Sequence, residues 1–269
     1  MPKAIGIYRE IKLAGKPGPD QRILDLTAEE LRKRNFEVST KKPEEFTEKE
    51  RVELIFTMAR GKEINEILAQ KEREGCLIIN SPGAIRFSLT KRDIVYQKMK
   101  EKGANVPEFK VMETNKVKFS DLEGKSILKP ATRHEFWFVV ESEKELEKAV
   151  KEYENQGIEK IIIQKFIEGK HIKYYFIGNE LILPKGIEKE ISLEVIEEIK
   201  RQAQLTGEIT GLKIFGGDFM VKDNLPFCLD ANDWPSMGSI EGFTQEEAAI
   251  KIADLIQKEY ANRRAEREI

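Results

Sequence analysis

Before residue 80 the chain alternates between two kinds of segment, and that alternation limits what it can fold into. Short apolar runs, AIGIY at 4–8, VELIFTM at 52–58 and CLIIN at 76–80, have the length and β-branched content of buried strands. Between them, apolar residues recur at helical spacing. Leu24, Ala28 and Leu31 share one face, as do Ile64, Ile67 and Leu68. A further strand is predicted near Phe36–Ser39. Strands joined by helices make a small parallel sheet, so residues 1–105 are predicted to form an N-terminal parallel α/β domain with a linker helix. That helix is expected to start at Thr90, with Asp93 as its capping partner, and to run to Lys102, where Gly103 and Pro107 stop it.

Beyond the linker the pattern changes. Strands are predicted at EFKVM, SILK, EFWFVV, KIIIQKF and HIKYYFI around one helix, for which Ser142 and Glu145 form a capping box and Leu146, Val150 and Tyr153 a buried stripe. From about Glu190 a long helix carrying Val195, Ile199 and Ala203 precedes a hairpin, GGDFMVKDNLPFCLDAN, that turns at Lys222–Asn224. A last helix begins at Thr244 with Glu247 three residues on. The fold class expected is therefore α/β followed by two α+β lobes, 106–175 and 176–269.

A length of 269 residues suits this division. A formal charge of −2 argues against a polyanion-binding surface, so neither nucleic acid nor membrane is an expected partner. No window approaches the roughly 20 apolar residues of a membrane span, and the start, MPKAIGIYRE, lacks the pattern of a leader. Cys76 and Cys228 match neither a zinc spacing nor a disulfide framework. A soluble, cytoplasmic protein is expected. Its abundant Lys, Glu and Ile are a balance that accompanies heat-adapted proteins, and a homo-oligomer is left open.

The hairpin carries the densest chemistry. Asp218, Asp230 and Asn232 would converge from adjacent strands, and two carboxylates with an amide oxygen make a half-shell for Mg2+. The alternative is that Asp230, Asn232 and Asp233 are ordinary polar residues at a strand end. On the N-terminal side, Arg9 follows the first strand at the carboxyl edge, where open α/β sheets bind ligands, and a substrate carboxylate is its natural partner. Ser81, in NSPGAIR, begins another such edge. The loop AGKPGP lacks the spacing of a phosphate-binding P-loop.

Four segments in order, INSPGAIRFSLTKRD with GANVP, SILKP, IIIQKFIEGKHIKYYFIG and GGDFMVKDNLPFCLDANDWPSMGSIEG, resemble the ATP-grasp superfamily, in particular its glutathione-synthetase-like and ribosomal-protein-modifying amino-acid ligases. The resemblance runs from about Leu77 to Gly242. It implies two lobes that clamp ATP, with Lys129 and Arg92 (beside Lys91) on the phosphates. Gln164, Lys165, Phe166 and Ile167 would form the adenine hinge, with Glu168 and His171 near the ribose. Lys173 would contact phosphate or the acyl group, and Asp218, Asp230 and Asn232 would hold Mg2+. A substrate pocket would lie between Arg9, Ser81, Lys173 and Ser236.

The sequence departs from the family at two points. A glycine-rich lid normally follows Lys129, whereas PATRHEFWFV has no glycine. Either Arg133 and His134 take over as side-chain donors, or the lid no longer closes for catalysis. Asp230 stands where glutamate is usual, which leaves the number of Mg2+ ions open. The activity implied is Mg·ATP-dependent ligation of a carboxylate to an amine through an acyl phosphate, on small-molecule substrates or peptides. The alternatives are a hydroxyl kinase and a nucleotide-binding module without turnover.

Overall fold

The computed structural model describes residues 1–10, 18–132 and 136–267. The first segment alternates as predicted, through β1 (Lys3–Ile7), α1 (Pro19–Lys33), β2 (Glu37–Lys41), β3 (Leu54–Thr57), α2 (Lys62–Arg73) and β4 (Leu77–Ile79). All pairings are parallel and the strand order is β2-β1-β3-β4. β3 and β4 are buried along their whole length, which explains their unbroken apolar runs.

Two helices follow, α3 (Pro82–Thr90) and α4 (Arg92–Glu101). The expected cap at Thr90 is corrected. Its hydroxyl donates back to the Arg86 carbonyl at 2.9 Å within α3, and Lys91 starts α4 without a side-chain cap. α3 is itself announced by Ser81, whose Oγ accepts from the Ala84 N–H at 3.2 Å, and by Pro82 at the first helical position.

The middle of the chain forms an antiparallel sheet of β5 (Phe109–Glu113), β6 (Ser126–Pro130), β7 (Phe138–Val140) and β8 (Lys160–Lys165), in the order β5-β8-β6-β7. Helix α5 (Glu143–Asn155) covers it, packing Leu146, Ala149 and Tyr153 on Leu128, Val140 and Ile161, with Val150 partly buried. Its capping box is the predicted one, Ser142 with Glu145.

The last sheet contains β9 (Lys170–Ile177), β10 (Glu180–Ile182), β11 (Ile214–Lys222) and β12 (Leu225–Cys228), ordered β10-β9-β11-β12, with β13 (Asn232–Asp233) added to β11. The β11–β12 turn has Asp223 at φ 51 and Asn224 at φ 61, the two positive values that a tight hairpin turn requires. β9 pairs with β11 from Lys170 to Ile177, so the division expected at 175/176 runs through one strand. We place the lobe boundary between β8 and β9.

Two further helices join distant segments of the chain. α6 (Leu193–Thr210) packs on α4, burying Val95, Tyr96 and Met99 against Ile199, Ala203 and Phe219. α7 (Gln245–Arg267), started by the predicted Thr244–Glu247 cap, lies on α1, burying Ile252 and Ile256 with Leu24, Ala28 and Leu31. The parallel domain and the last lobe therefore share a core.

Candidate active site

A cavity of about 400 Å3 opens between the β6–β8 sheet and the β9–β11 sheet. It is lined by Arg92, Lys129, Phe166, His171, Asp218, Asp230 and Asn232 together with Ile127, Phe136, Trp137, Val139, Met220 and Leu229. The predicted cation, metal and base-facing positions thus meet at one place, in a volume that suits a small-molecule ligand.

One wall is cationic. Lys129 is buried, and its Nζ donates to Gln164 Oε1 at 2.7 Å and to the Leu229 carbonyl at 3.0 Å. Burial, and next the Arg92 charge, press the ammonium down to about 8, against the upward pull of Asp230. Arg92, also buried, donates to the Pro130 carbonyl at 3.2 Å, whereas Lys91 is exposed. Of the two cations at the start of α4, Arg92 is the one on the cavity.

The opposite wall is anionic, and one of its two carboxylates already has a counter-charge. β9 and β11 run antiparallel with Asp218 opposite Lys173 and Met220 opposite His171. Asp218 accordingly sits 3.1 Å from Lys173 Nζ and 2.6 Å from His171 Nε2. Asp218 therefore has a local counter-charge in Lys173. Asp230 accepts from the Asp218 N–H at 3.2 Å and from Asn232 Nδ2 at 3.0 Å. The approach needs Gly217, since a Cβ there would overlap the Asp230 carbonyl oxygen and lie 3.0 Å from Asp230 Oδ1.

Among the described residues no three His, Cys, Asp or Glu side chains form a metal-binding group. A metal here would be held by two carboxylates and the Asn232 amide, with its remaining ligands supplied from outside the protein. That hard, all-oxygen set fits Mg2+.

The residues expected to form the hinge divide between different environments. Gln164 is fully buried with its Nε2 unpartnered, and Phe166 reaches the cavity beneath the Lys125 ammonium, 4.5 Å from the ring centre. The backbone N–H groups of Lys165 and Phe166 are already taken by the carbonyls of Glu108 and Lys125. The Lys165 side chain faces a separate groove beside Glu108 and Asp121, Ile167 is half-buried and Glu168 is exposed. Arg133 and His134 lie outside the described residues.

The expected substrate residues are engaged within the protein. Ser81 is spent as the α3 cap. Ser236 contributes its carbonyl to Gln245 Nε2. Arg9 is buried, donating from Nε to Asp20 at 2.5 Å and from Nη2 to the Trp234 carbonyl at 2.7 Å.

Sequence reading missed Arg60. Its Nη2 lies 2.7 Å from Asp233 Oδ1 and 3.0 Å from the Asp233 carbonyl. The signal was present, because Arg60 follows β3 much as Arg9 follows β1. Trp137, 61% exposed on the cavity rim, was also missed.

No family model and no curated protein sequence matches the chain. Its three-dimensional structure does match solved proteins over nearly its whole length. A D-alanine–D-alanine ligase from Bacillus anthracis superposes with a TM-score of 0.76 at 14% identity, covering 99% of this chain and 100% of that one. A RimK-domain ATP-grasp protein from Sphaerobacter thermophilus gives 0.72 at 16% identity, with 94% and 99% covered. The ATP-grasp ligase PsnB gives 0.67 at 16%, with 96% and 99% covered. The chain has the ATP-grasp fold: a parallel α/β domain followed by two sheet-bearing lobes with a cavity between them. Among the described residues no helix is long and apolar enough to cross a membrane.

Proposed function

We propose that the protein is an ATP- and Mg2+-dependent carboxylate–amine ligase acting on small molecules or peptides. The observation that carries this reading is the pairing of unlike walls around one cavity, Lys129 and Arg92 on one side and Asp218, Asp230 and Asn232 on the other. A polyphosphate with its divalent counter-ion needs both. The likeness to ligases adds support, since the D-alanine–D-alanine ligase is also solved with ATP and PsnB with its minimal precursor, Mg and ADP.

In this reading Lys129 and Arg92 hold phosphate oxygens while Ile127, Trp137, Phe166 and Met220 enclose the base. Asp218, Asp230 and Asn232 hold Mg2+, which when bound neutralises phosphate charge and orients the transferred group. Lys173, resting on Asp218, stabilises charge as a substrate carboxylate takes the γ-phosphoryl group. The acyl phosphate so formed is opened by an amine to give an amide and free phosphate.

ADP release across a panel of carboxylates and amines, with hydroxylamine as trap, tests the proposal. Hydroxamate formation coupled to ADP release is the expected result. A stable phosphorylated alcohol would instead make the protein a kinase. Calorimetric ATP binding without turnover on any pair would make it a nucleotide-binding module.

A further inference from the structure

The two walls of the cavity meet at one backbone residue. The Leu229 carbonyl accepts from Lys129 Nζ at 3.0 Å, and the Leu229 N–H donates to the Asp218 carbonyl at 2.9 Å. Asp230 follows directly. The same Leu229 carbonyl accepts a second hydrogen bond, from the Tyr96 hydroxyl at 2.6 Å. Both of its lone pairs are then in use.

Tyr96 is buried beneath the cavity and belongs to neither wall. It lies one turn after Arg92 on α4, and Arg92 donates to its hydroxyl. The Tyr96 ring packs edge-on against Phe109, with centres 5.5 Å apart and planes at 63°, and the Lys129 ammonium stands 6.0 Å from the ring centre. Phe109 in turn pairs across β5–β8 with Gln164, the other residue that holds Lys129. One side chain on the linking helix therefore touches the central sheet, through Phe109, and the last lobe, through Leu229.

Burial, against the opposing Arg92 charge, pushes the Tyr96 hydroxyl up to about 12, so it stays a donor through the neutral range. Packing alone would be met by phenylalanine. The hydroxyl adds two effects: it fixes the Leu229 carbonyl in place, and it shares that carbonyl with Lys129. A carbonyl that serves two donors holds each less tightly than it would hold one, which leaves the ammonium freer to turn to a phosphate oxygen. The bond from Arg92 sets the second cation in the same frame.

Taking the cavity as a nucleotide site, we propose that Tyr96 is a positioning residue for the phosphates, its hydroxyl holding Arg92, Lys129 and the Leu229–Asp230 segment in one fixed arrangement. Nothing in this depends on which group receives the phosphoryl.

The test is calorimetry of metal-free ATP binding to the wild type and to Tyr96→Phe, which loses one oxygen and keeps the ring, at a series of pH values on both sides of about 8. Affinity in the variant should fall about tenfold near neutral pH, the size of a hydrogen bond lost among charged groups. The pH above which binding weakens should also move up, because the Leu229 carbonyl, now serving Lys129 alone, favours its charged form. The groups that face Lys129, namely Arg92, Asp230, Asp218 and the Cys228 thiol, are all kept in the variant, so a moved profile reports the hydroxyl. Tyr96→Met, flexible enough to fill the space of the ring and equally without a hydroxyl, is the second variant should the first not fold.

An affinity within about twofold of wild type in the folded variant would overturn the proposal. So would a weaker affinity with an unmoved pH profile, the mark of general loosening. Both outcomes leave the nucleotide reading intact, whereas failure of the wild type to bind ATP would overturn that reading and the proposal with it.

Discussion

The two walls of the central cavity solve the problem of buried charge in opposite ways. On the β6–β8 wall, Lys129 is buried and its hydrogen bonds go to two neutral oxygens, Gln164 Oε1 and the Leu229 carbonyl. On the β9–β11 wall, Asp218 is paired across the strands with Lys173 and His171. Lys129, bonded to neutral oxygens, is poised to receive an anion. The second wall already holds a resident cation against Asp218, so a metal ion arriving there competes with Lys173. In this reading phosphate contributes more to nucleotide affinity than the metal does.

Lys129→Ala attacks the first wall directly and should have the largest effect, lowering ATP affinity about 100-fold in calorimetry while circular dichroism stays native, because charged hydrogen bonds are worth about 1.5–3 kcal/mol each. An affinity within threefold of wild type would erase the contrast between the walls. Gly217→Ala attacks the architecture that joins Asp218 to Asp230. Its Cβ meets backbone, which cannot swing aside, so thermal unfolding should report a loss of about 1–3 kcal/mol.

Asp218→Asn tests the second wall. Half-maximal Mg2+ in an ATP-dependent assay should rise about tenfold, with metal-free ATP affinity changing less than twofold, as expected when one of two carboxylate ligands is lost. Equal losses in both measurements would show that the walls do not act separately.

The smallest effect concerns pH. Lys129 has its ammonium pressed down to about 8, and a bound phosphate would push it back up, so ATP binding takes up a proton. Affinity should therefore be steady below pH 8 and fall above it, by up to about tenfold per unit. Lys129→Arg, which stays charged, should flatten that slope.

Legibility in the sequence followed the range of the interaction. Ser142–Glu145, Thr244–Glu247 and the Asp223–Asn224 turn are local, each satisfied within four residues, and all were readable. The Asp218, Asp230 and Asn232 convergence was readable too, because a hairpin fixes its own register. Thr90 was misread because a threonine that caps a helix start and one that closes the previous helix occupy the same sequence pattern. Arg60 escaped because its partner, Asp233, is 173 residues away.

By itself the sequence determined the alternating strand–helix order, the local caps, and the lysine and acidic residues that a nucleotide site would require. Only the tertiary structure decided which of them meet. It laid α7 on α1 so that the ends of the chain share a core, packed α4 on α6, supplied Asp218 with its own counter-charge, and brought Arg9 and Arg60 against Asp233 and Trp234. Burial and charge pairing are sums over neighbours from distant segments, and no window of sequence contains those neighbours.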